Sequence, residues 1–288
     1  MAKTVSAGFV ELLGRLALTD QQEFTASTRA TGIKDFLAAN LTMAERALTI
    51  GSYRRGTLIR PERDIDILAP LSYSTYKSSY DNDSRGLLYY VRDKLKAGYS
   101  TTRVSSREVA ILLDFTVIRA DVVPAFKRSG GGYFIPNGKS GWQATNPDYH
   151  TRVISEADDA LDNRLKPLIR LMKFWNHANG HHLRSFHVEL MVWRMWKDLT
   201  SLPAYSHAVA QSLGAMSGWL RGAFPDPWDG GGPVDGYLSL DTRAMVRRML
   251  DQDAKAASEA EDYRKAEKTE KAFERWGVVF RHEFPAYG

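Results

Sequence analysis

The stretch "LTIGSYRRGTLIRPERDIDILAPL", Leu48 to Leu71, joins a Gly-Ser pair to an Asp-Ile-Asp triplet across eleven intervening residues. Asp64 and Asp66 alternate with Ile65 and Ile67, and Leu68 follows, which is the pattern of a β-strand with one buried face. Side chains at i and i+2 leave a strand on the same side, so the two carboxylates stand together, roughly 6 to 7 Å apart at Cα. Like charges at that spacing repel unless a cation lies between them, and oxygen-only donors suit Mg²⁺ or Mn²⁺. Upstream, Gly51 allows a tight turn close to a polyphosphate, and Ser52 offers a hydroxyl and an N–H to phosphate oxygens. Taken singly, each acid has a plainer reading: Asp64 paired with Arg60 or Arg63 at a strand edge, Asp66 a satisfied surface acid. Metal ligands and a phosphate cradle in one short segment favour the chemical reading.

Phosphoryl or nucleotidyl transfer with two metals needs a third carboxylate arriving from another strand. Asp121 in "IRADVVPAF" is the best candidate, an acid flanked by Ala120, Val122 and Val123 that costs stability unless it is paired or metal-bound. Asp114 in "ILLDFTV" is the rival, on the neighbouring strand of a hairpin, and a turn-proximal or solvent-facing acid is the plainer account of it.

The rest of the chain bounds the context. At 288 residues with 43% apolar content the sequence supports one large or two modest folded domains. Its 39 basic against 34 acidic residues leave a formal charge of +5, compatible with an anionic substrate but too evenly spread for a nucleic-acid-binding tail. Without cysteine there is no disulfide frame, thiolate nucleophile or cysteine-based zinc site, which fits a reducing cytoplasm. Charges interrupt the apolar N-terminal stretch, so it lacks a signal-peptide core, and no window is apolar enough to span a membrane.

Helical spacing runs from Val5 to Ala17 and from Asp20 to Leu48, with Thr19 or Asp20 as N-cap. Ser84 to Ala97 reads as a helix, and Thr101 to Val104 and Ala110 to Phe126 as strands. The Gly-, Pro- and Asn-rich "KRSGGGYFIPNGKSGWQATNPDYH" reads as a long functional loop. Beyond Ser155 the pattern is helical: Leu161, Leu165, Leu168, Met172 and Trp175 form one stripe, and Phe186, Leu190 and Trp193 begin another. After "AFPDPWDGGGPVDGY" a helix starts near Asp241, and the Ala/Glu/Lys-rich tail reads as solvated helix with its alanines, Phe273 and Trp276 facing inward. An α/β half is thus followed by a helical half, with the boundary near residue 160.

"GS" at 51–52, "DID" at 64–66 and a later "ADVVPA" resemble the polymerase-β-like nucleotidyltransferase signature, in which an hG[GS] turn leads to hDh[DE]h. More closely, the chain resembles the bacterial CD-NTases, relatives of cyclic GMP-AMP synthase and oligoadenylate synthetase. The blocks "GSYRRGT", "DIDIL", "DVVPAF", "IPNGKSGWQATNPDYH", "LIRLMKFWN", "RSFHVE" and "AFERWGVVFRHEFP" follow in family order. The resemblance implies an α/β + α fold: a polymerase-β-like palm, a mixed sheet with N-terminal helices over 1–160, then a helical lobe over 161–288, with the active site in the cleft between them. It implies that Asp64, Asp66 and Asp121 hold two Mg²⁺ or Mn²⁺ ions, with Asp121 also helping to activate the acceptor hydroxyl. Gly51 and Ser52 would cradle the donor triphosphate, aided by Lys173 and Ser185. Phe186 stands where relatives often carry a tyrosine that stacks on the donor base, keeping the ring and losing its hydroxyl.

By the same resemblance, NTPs would be joined into a cyclic di- or trinucleotide second messenger for antiphage defence, acting on a separate effector. An accessory ligase acting on the C-terminal glycine, Gly288, is a further implied partner. A linear-product transferase and a nucleotide-binding scaffold are the alternatives. From the residues alone, Lys173 reads as a lysine snorkelling to solvent, Ser185 as a helix N-cap and Phe186 as core. Arg54 and Arg55 read either as phosphate readers or as solvated arginines. "NGKSG" at 137–141 lacks the glycine a Walker A loop requires. His177, His181, His182 and His187 read as a polar interhelical loop, and Trp193, Trp196 and Trp219 as core.

Overall fold

The computed structural model describes residues 2–60 and 64–288. Arg63, one of the partners considered for Asp64, lies outside the described residues. In chain order the elements are α1 (Val5–Leu16), α2 (Asp20–Asn40), β1 (Leu48–Ile50), α3 (Gly51–Arg55), β2 (Asp64–Leu71), α4 (Tyr73–Tyr80), α5 (Ser84–Gly98), β3 (Arg103–Ser106), β4 (Ile111–Asp114), β5 (Arg119–Lys127), β6 (Tyr133–Pro136) and β7 (Trp142–Thr145), then α6 (Pro147–Ala160), α7 (Leu165–Ala178), α8 (Ser185–Trp196), α9 (Tyr205–Trp219), α10 (Leu240–Lys265) and α11 (Thr269–Val279). The sheet runs β1-β2-β5-β4-β3, with β6 pairing β5 and β7 pairing β6. β2 and β5 are parallel and the other pairs antiparallel, so the sheet is mixed.

Strand alternation decides which face carries chemistry. Ile65 and Ile67 of β2, Ile111 and Leu113 of β4, and Ala120 and Val122 of β5 are buried with Ile33 and Leu37 of α2 and Leu88, Val91 and Leu95 of α5. The residues between them, Asp64, Asp66 and Asp121, therefore project from the opposite face. Thr19 caps α2 in a capping box with Gln22, as its sequence pattern predicts.

A second core gathers the helical part: Leu165, Leu168, Met172 and Trp175 of α7, Leu190 of α8, Leu213 and Met216 of α9, and Ala257 and Ala260 of α10. α1 joins this core, since Phe9 meets Trp276 and Phe284 edge-on at 4.9 and 5.0 Å. Phe273 and Trp276 face inward, as the tail's pattern predicts.

Three readings of the sequence need correction. Helical spacing carries on to Leu48, yet α2 stops at Asn40, because the following backbone is taken up elsewhere: Thr42 N–H donates to Tyr76 Oη (3.1 Å), Ala44 N–H to the Pro70 carbonyl (2.9 Å), and Leu48 to Ile50 pair with β2. The single strand expected over 110–126 is a hairpin, β4 and β5, turning at 115–118. The supposed loop at 127–150 contains the β6–β7 hairpin and the start of α6; its glycines 131, 132 and 138 take up positive φ at turns. "NGKSG" forms the β6–β7 turn.

Asp253 of α10, 2% exposed, accepts Trp175 Nε1–H at 2.8 Å and both terminal nitrogens of Arg281 at 3.0 Å, tying α7, α10 and the C-terminal segment together. Asp253→Ala leaves the buried indole N–H without an acceptor, and a loss of about 2 to 4 kcal/mol is expected. Scanning calorimetry checks this as a fall in Tm of several degrees; an unchanged Tm refutes it. Among the described residues no helix is long and apolar enough to cross a membrane.

Candidate active site

β2 and β5 run side by side in the register Asp64↔Arg119 and Asp66↔Asp121. The parallel pairing puts Asp66 and Asp121 next to each other on the face turned away from α2 and α5. Two residues on, Leu68 and Val123 continue that face as apolar surface, so the acids occupy only its N-terminal end.

Burial and mutual repulsion dominate their electrostatics. Desolvation first, and the Asp121 and Asp64 charges with it, push Asp66 up to about 7, against the pull of Arg55 and Lys173. Desolvation likewise raises Asp121 to about 6, opposed by Arg107 and Arg119 and assisted by Asp64. Both acids therefore titrate near neutrality.

Two arginines supply cationic partners. Arg119 Nε lies 2.7 Å from Asp64 Oδ1, and Arg107, in the β3–β4 turn, puts Nη1 2.8 Å from Asp121 Oδ2. Arg60, considered as the partner of Asp64, instead donates to the Ala17 carbonyl at 3.1 and 2.9 Å. Asp114 ends β4 opposite Arg119 and is exposed, in keeping with its plainer reading.

The three aspartates fit a hard divalent cation in chemistry. They offer carboxylate oxygens alone, and the buried Asp121 Oδ1 has no hydrogen-bond partner among the described residues. As they stand, with Arg107 and Arg119 drawn onto them, no group of three acid or imidazole side chains among the described residues closes to metal-holding geometry.

Gly51 begins α3 with φ +69°, and a Cβ built there would lie 1.8 Å from Asp66 Oδ2. Glycine is thus what allows the turn to lie against the carboxylate. Gly56 closes α3 in the left-handed region at φ +71°, and Thr57 folds back, its N–H reaching the Ser52 carbonyl at 2.9 Å. The structure thereby brings Gly51 and Ser52 beside the acids.

Lys173 does not snorkel to solvent. It is fully buried on α7, donating to the Thr57 carbonyl at 3.0 Å, with Glu189 Oε1 at 3.6 Å. Arg55 is not a solvated reader either: at 6% exposure it donates through Nε to Glu189 Oε2 at 2.7 Å. Glu189 is pressed upward by burial, but Arg55, Lys173 and hydrogen bonds from Arg55 and Thr57 outweigh this and hold it below the ordinary carboxylate value. Arg54 pairs with Asp148 at 2.7 Å.

Ser185 is the first residue of α8 and Arg184 occupies the cap position, so Ser185 is not the N-cap. Phe186 is half-buried, with the Arg55 guanidinium 5.3 Å above its ring and His150 edge-on at 4.8 Å. His187 lies buried in α8 against Tyr237 Oη at 3.1 Å, apart from the polar loop that carries His181 and His182.

The profile of the SMODS family, described as the Second Messenger Oligonucleotide or Dinucleotide Synthetase domain, matches residues 3–158. The chain belongs to the SMODS family. The matched span holds Gly51, Ser52 and the three aspartates, and ends before Lys173, Ser185 and Phe186. A cyclic AMP-AMP-AMP synthase of Acinetobacter sp. is 33% identical over 144 residues, 46% of this chain and 40% of that protein. The chain thus spans less than half the length of that relative. A probable cyclic nucleotide synthase of Bacillus cereus is 25% identical over 284 residues, covering 86% of this chain and 84% of its own. Among solved structures, Escherichia coli MS115-1 CdnC with ATP matches at TM-score 0.81 and 17% identity, covering 97% of this chain and 98% of that chain. Bradyrhizobium diazoefficiens CdnG in complex with GTP matches at TM-score 0.73 and 14% identity, covering 98% of both. These likenesses establish the polymerase-β-like CD-NTase fold: a mixed sheet with helices and a helical C-terminal lobe.

For this SMODS member, the charged partners of the acids carry no mark in the sequence. Arg107, Arg119 and Glu189 are all placed by tertiary structure. The first two stand near the acids in sequence, and "RSFHVE" contains Glu189, but nothing local marks a charge that will be buried.

Proposed function

We propose that the chain is a metal-dependent nucleotidyltransferase that joins NTPs into a cyclic di- or trinucleotide with release of pyrophosphate. The observation that carries this reading is the Asp66↔Asp121 register beside the Gly51–Ser52 turn: paired acids with the glycine turn packed against one of them. Family membership and the relatives that bear the name of cyclic AMP-AMP-AMP synthase support it.

Asp64, Asp66 and Asp121 would hold two Mg²⁺ or Mn²⁺ ions, which when bound supply charge stabilisation to the attacking and leaving oxygens of an in-line displacement. Ser52 and the turn's backbone would hold the donor triphosphate, with Ser185 contributing from the helical lobe, while the buried Lys173 acts on the turn through the Thr57 carbonyl rather than on the phosphates. Asp121 would also help to activate the acceptor ribose hydroxyl. Phe186 offers its ring to the donor base, with Arg55 already stacked on that ring. Residues 1–160, apart from α1, which packs with the helices, would then act as palm and 161–288 as lobe, with the substrates between them.

The product would act on a separate effector in cytoplasmic antiphage signalling. A ligase acting on Gly288 would have to draw the last residues from Ala2, whose carbonyl accepts Gly288 N–H at 3.3 Å.

Incubation with α-³²P-labelled NTPs and Mg²⁺ or Mn²⁺, followed by phosphatase and thin-layer chromatography, tests the reading. A phosphatase-resistant product is expected, identified as a ring by nuclease digestion and mass spectrometry. A ladder of products would overturn cyclisation in favour of a linear-product transferase, and absence of NTP binding would overturn the enzyme reading.

A further inference from the structure

Glu189 stands where the phosphate turn meets the helical lobe. Its Oε2 receives Arg55 Nε at 2.7 Å and its Oε1 lies 3.6 Å from Lys173 Nζ. That ammonium donates to the Thr57 carbonyl at 3.0 Å, and Thr57 returns its N–H to the Ser52 carbonyl at 2.9 Å. One carboxylate of α8 therefore governs both ends of a short path: Arg55 closes α3 directly, and Lys173 reaches Ser52 through Thr57.

The path is dry. Arg55, Lys173 and Glu189 are 6%, 0% and 0% exposed, so water is not available to replace a lost partner. Two cations face one glutamate, and the Asp66 carboxylate, packed against Gly51, evens the charge from the side of the acids. α3 itself is only five residues long and ends in a left-handed glycine, so its own hydrogen bonds do little to fix it. Its position depends on what grips its far end.

We propose that Glu189 is a positioning residue for the reaction: acting through Arg55 and Lys173, it fixes the Gly51–Ser52 turn and so aligns the donor triphosphate with the three aspartates. The inference rests on the nucleotidyltransferase reading given above. It assigns to Lys173 a grip on the turn through the Thr57 carbonyl, and it gives Arg55 a structural partner in place of a nucleotide contact. Glu189 touches neither substrate nor the reacting atoms.

The test uses the full chain, with Glu189→Gln and Arg55→Lys beside wild type. Equilibrium binding of an α,β-methylene NTP with Mg²⁺ is measured together with KM, kcat and Tm. Glu189→Gln removes the anion but keeps the shape; affinity for the analogue is expected to fall about tenfold or more, the equivalent of one charge-assisted hydrogen bond. KM rises in parallel and kcat falls as well, because a loosened turn both holds the triphosphate less tightly and misaligns it with the aspartates. Arg55→Lys keeps the charge and loses the planar fork and its place on the Phe186 ring, so a smaller fall of about threefold to fivefold is expected.

A folded Glu189→Gln protein that binds the analogue as wild type does overturns the proposal. So does a loss confined to kcat. Should Glu189→Gln fail to fold, Arg55→Lys decides alone, and wild-type affinity in that variant overturns the proposal. Wild-type protein that binds no NTP at all is a different result, one that removes the enzyme reading itself.

Discussion

Asp66→Asn is expected to abolish product formation and, in EDTA at pH 8, to raise the melting temperature. The two effects share a cause. Burial, together with the charges of Asp121 and Asp64, lifts Asp66 to about 7, against the opposing pull of Arg55 and Lys173. An acid whose folded value lies above its unfolded one binds a proton more tightly in the native state, so ionising it costs stability. That cost is fully present above pH 7, fades as the pH falls from 7 towards 4, and is absent below. Conversion of the shift gives roughly 2 to 4 kcal/mol at pH 8 for the metal-free protein. Asparagine removes the charge and keeps the shape, so Tm should rise by roughly 3 to 7 °C at pH 8 and by progressively less toward pH 4. Asp121 and Asp66 repel each other and titrate as a pair, so removing the Asp66 charge also eases ionisation of Asp121, and the difference between the proteins reports the pair.

Activity should fall by at least about 10²- to 10³-fold, the scale of losing one group that stabilises transition-state charge. Mg²⁺ with NTP should stabilise wild type and leave Asp66→Asn almost unmoved. Differential scanning fluorimetry across pH checks the first effect and product chromatography the second. An Asp66→Asn protein no more stable than wild type at pH 8 would refute the electrostatic account, whatever its activity. The pattern is that of a site whose charges are arranged for a cation, at the expense of the fold that carries them.

How far the site was legible depends on whether a residue's environment is set locally. Asp64 and Asp66 declare their face because Ile65 and Ile67 alternate with them, and period two fixes side-chain direction without reference to the rest of the chain. Asp121 is legible for the same reason, between Ala120 and Val122. The end of α2 was not, because nothing in residues 41–48 breaks a helix; β2 and Tyr76 simply compete better for that backbone. Nor were the arginine partners. Arg119 meets Asp64 from 55 residues away, through a parallel register that alternation alone cannot set. Lys173 shows the limit most clearly: beside Met172 on an apolar stripe it reads as a snorkelling lysine, and only the approach of Glu189 from the next helix makes its burial tolerable.

Gly51→Ala should reduce activity by about 10²-fold or more, whereas Gly56→Ala should leave it within a few-fold of wild type, although both replace a left-handed glycine of the same turn. Their backbone penalties are nearly equal: φ is +69° at Gly51 and +71° at Gly56, and an L-residue in that region costs about 1 to 2 kcal/mol. Space separates them. A Cβ at position 56 finds only Lys166 Cδ, at 3.7 Å, which is ordinary contact. At position 51 it would stand 1.8 Å from Asp66 Oδ2, 2.7 Å from its Cγ and 3.0 Å from its Cβ. Rotating the carboxylate relieves the first two contacts but not the third, because Asp66 Cβ is fixed by the β2 backbone, hydrogen-bonded on both sides to β1 and β5. Either the turn moves away from the acids or the acid moves away from Asp121, and each breaks the alignment the chemistry needs. Thermal melts should show similar strain in both variants, with an added loss at position 51. Equal activities in the two would mean that close approach of the turn to Asp66 is not required, and that Gly51 is there only for its dihedral angle.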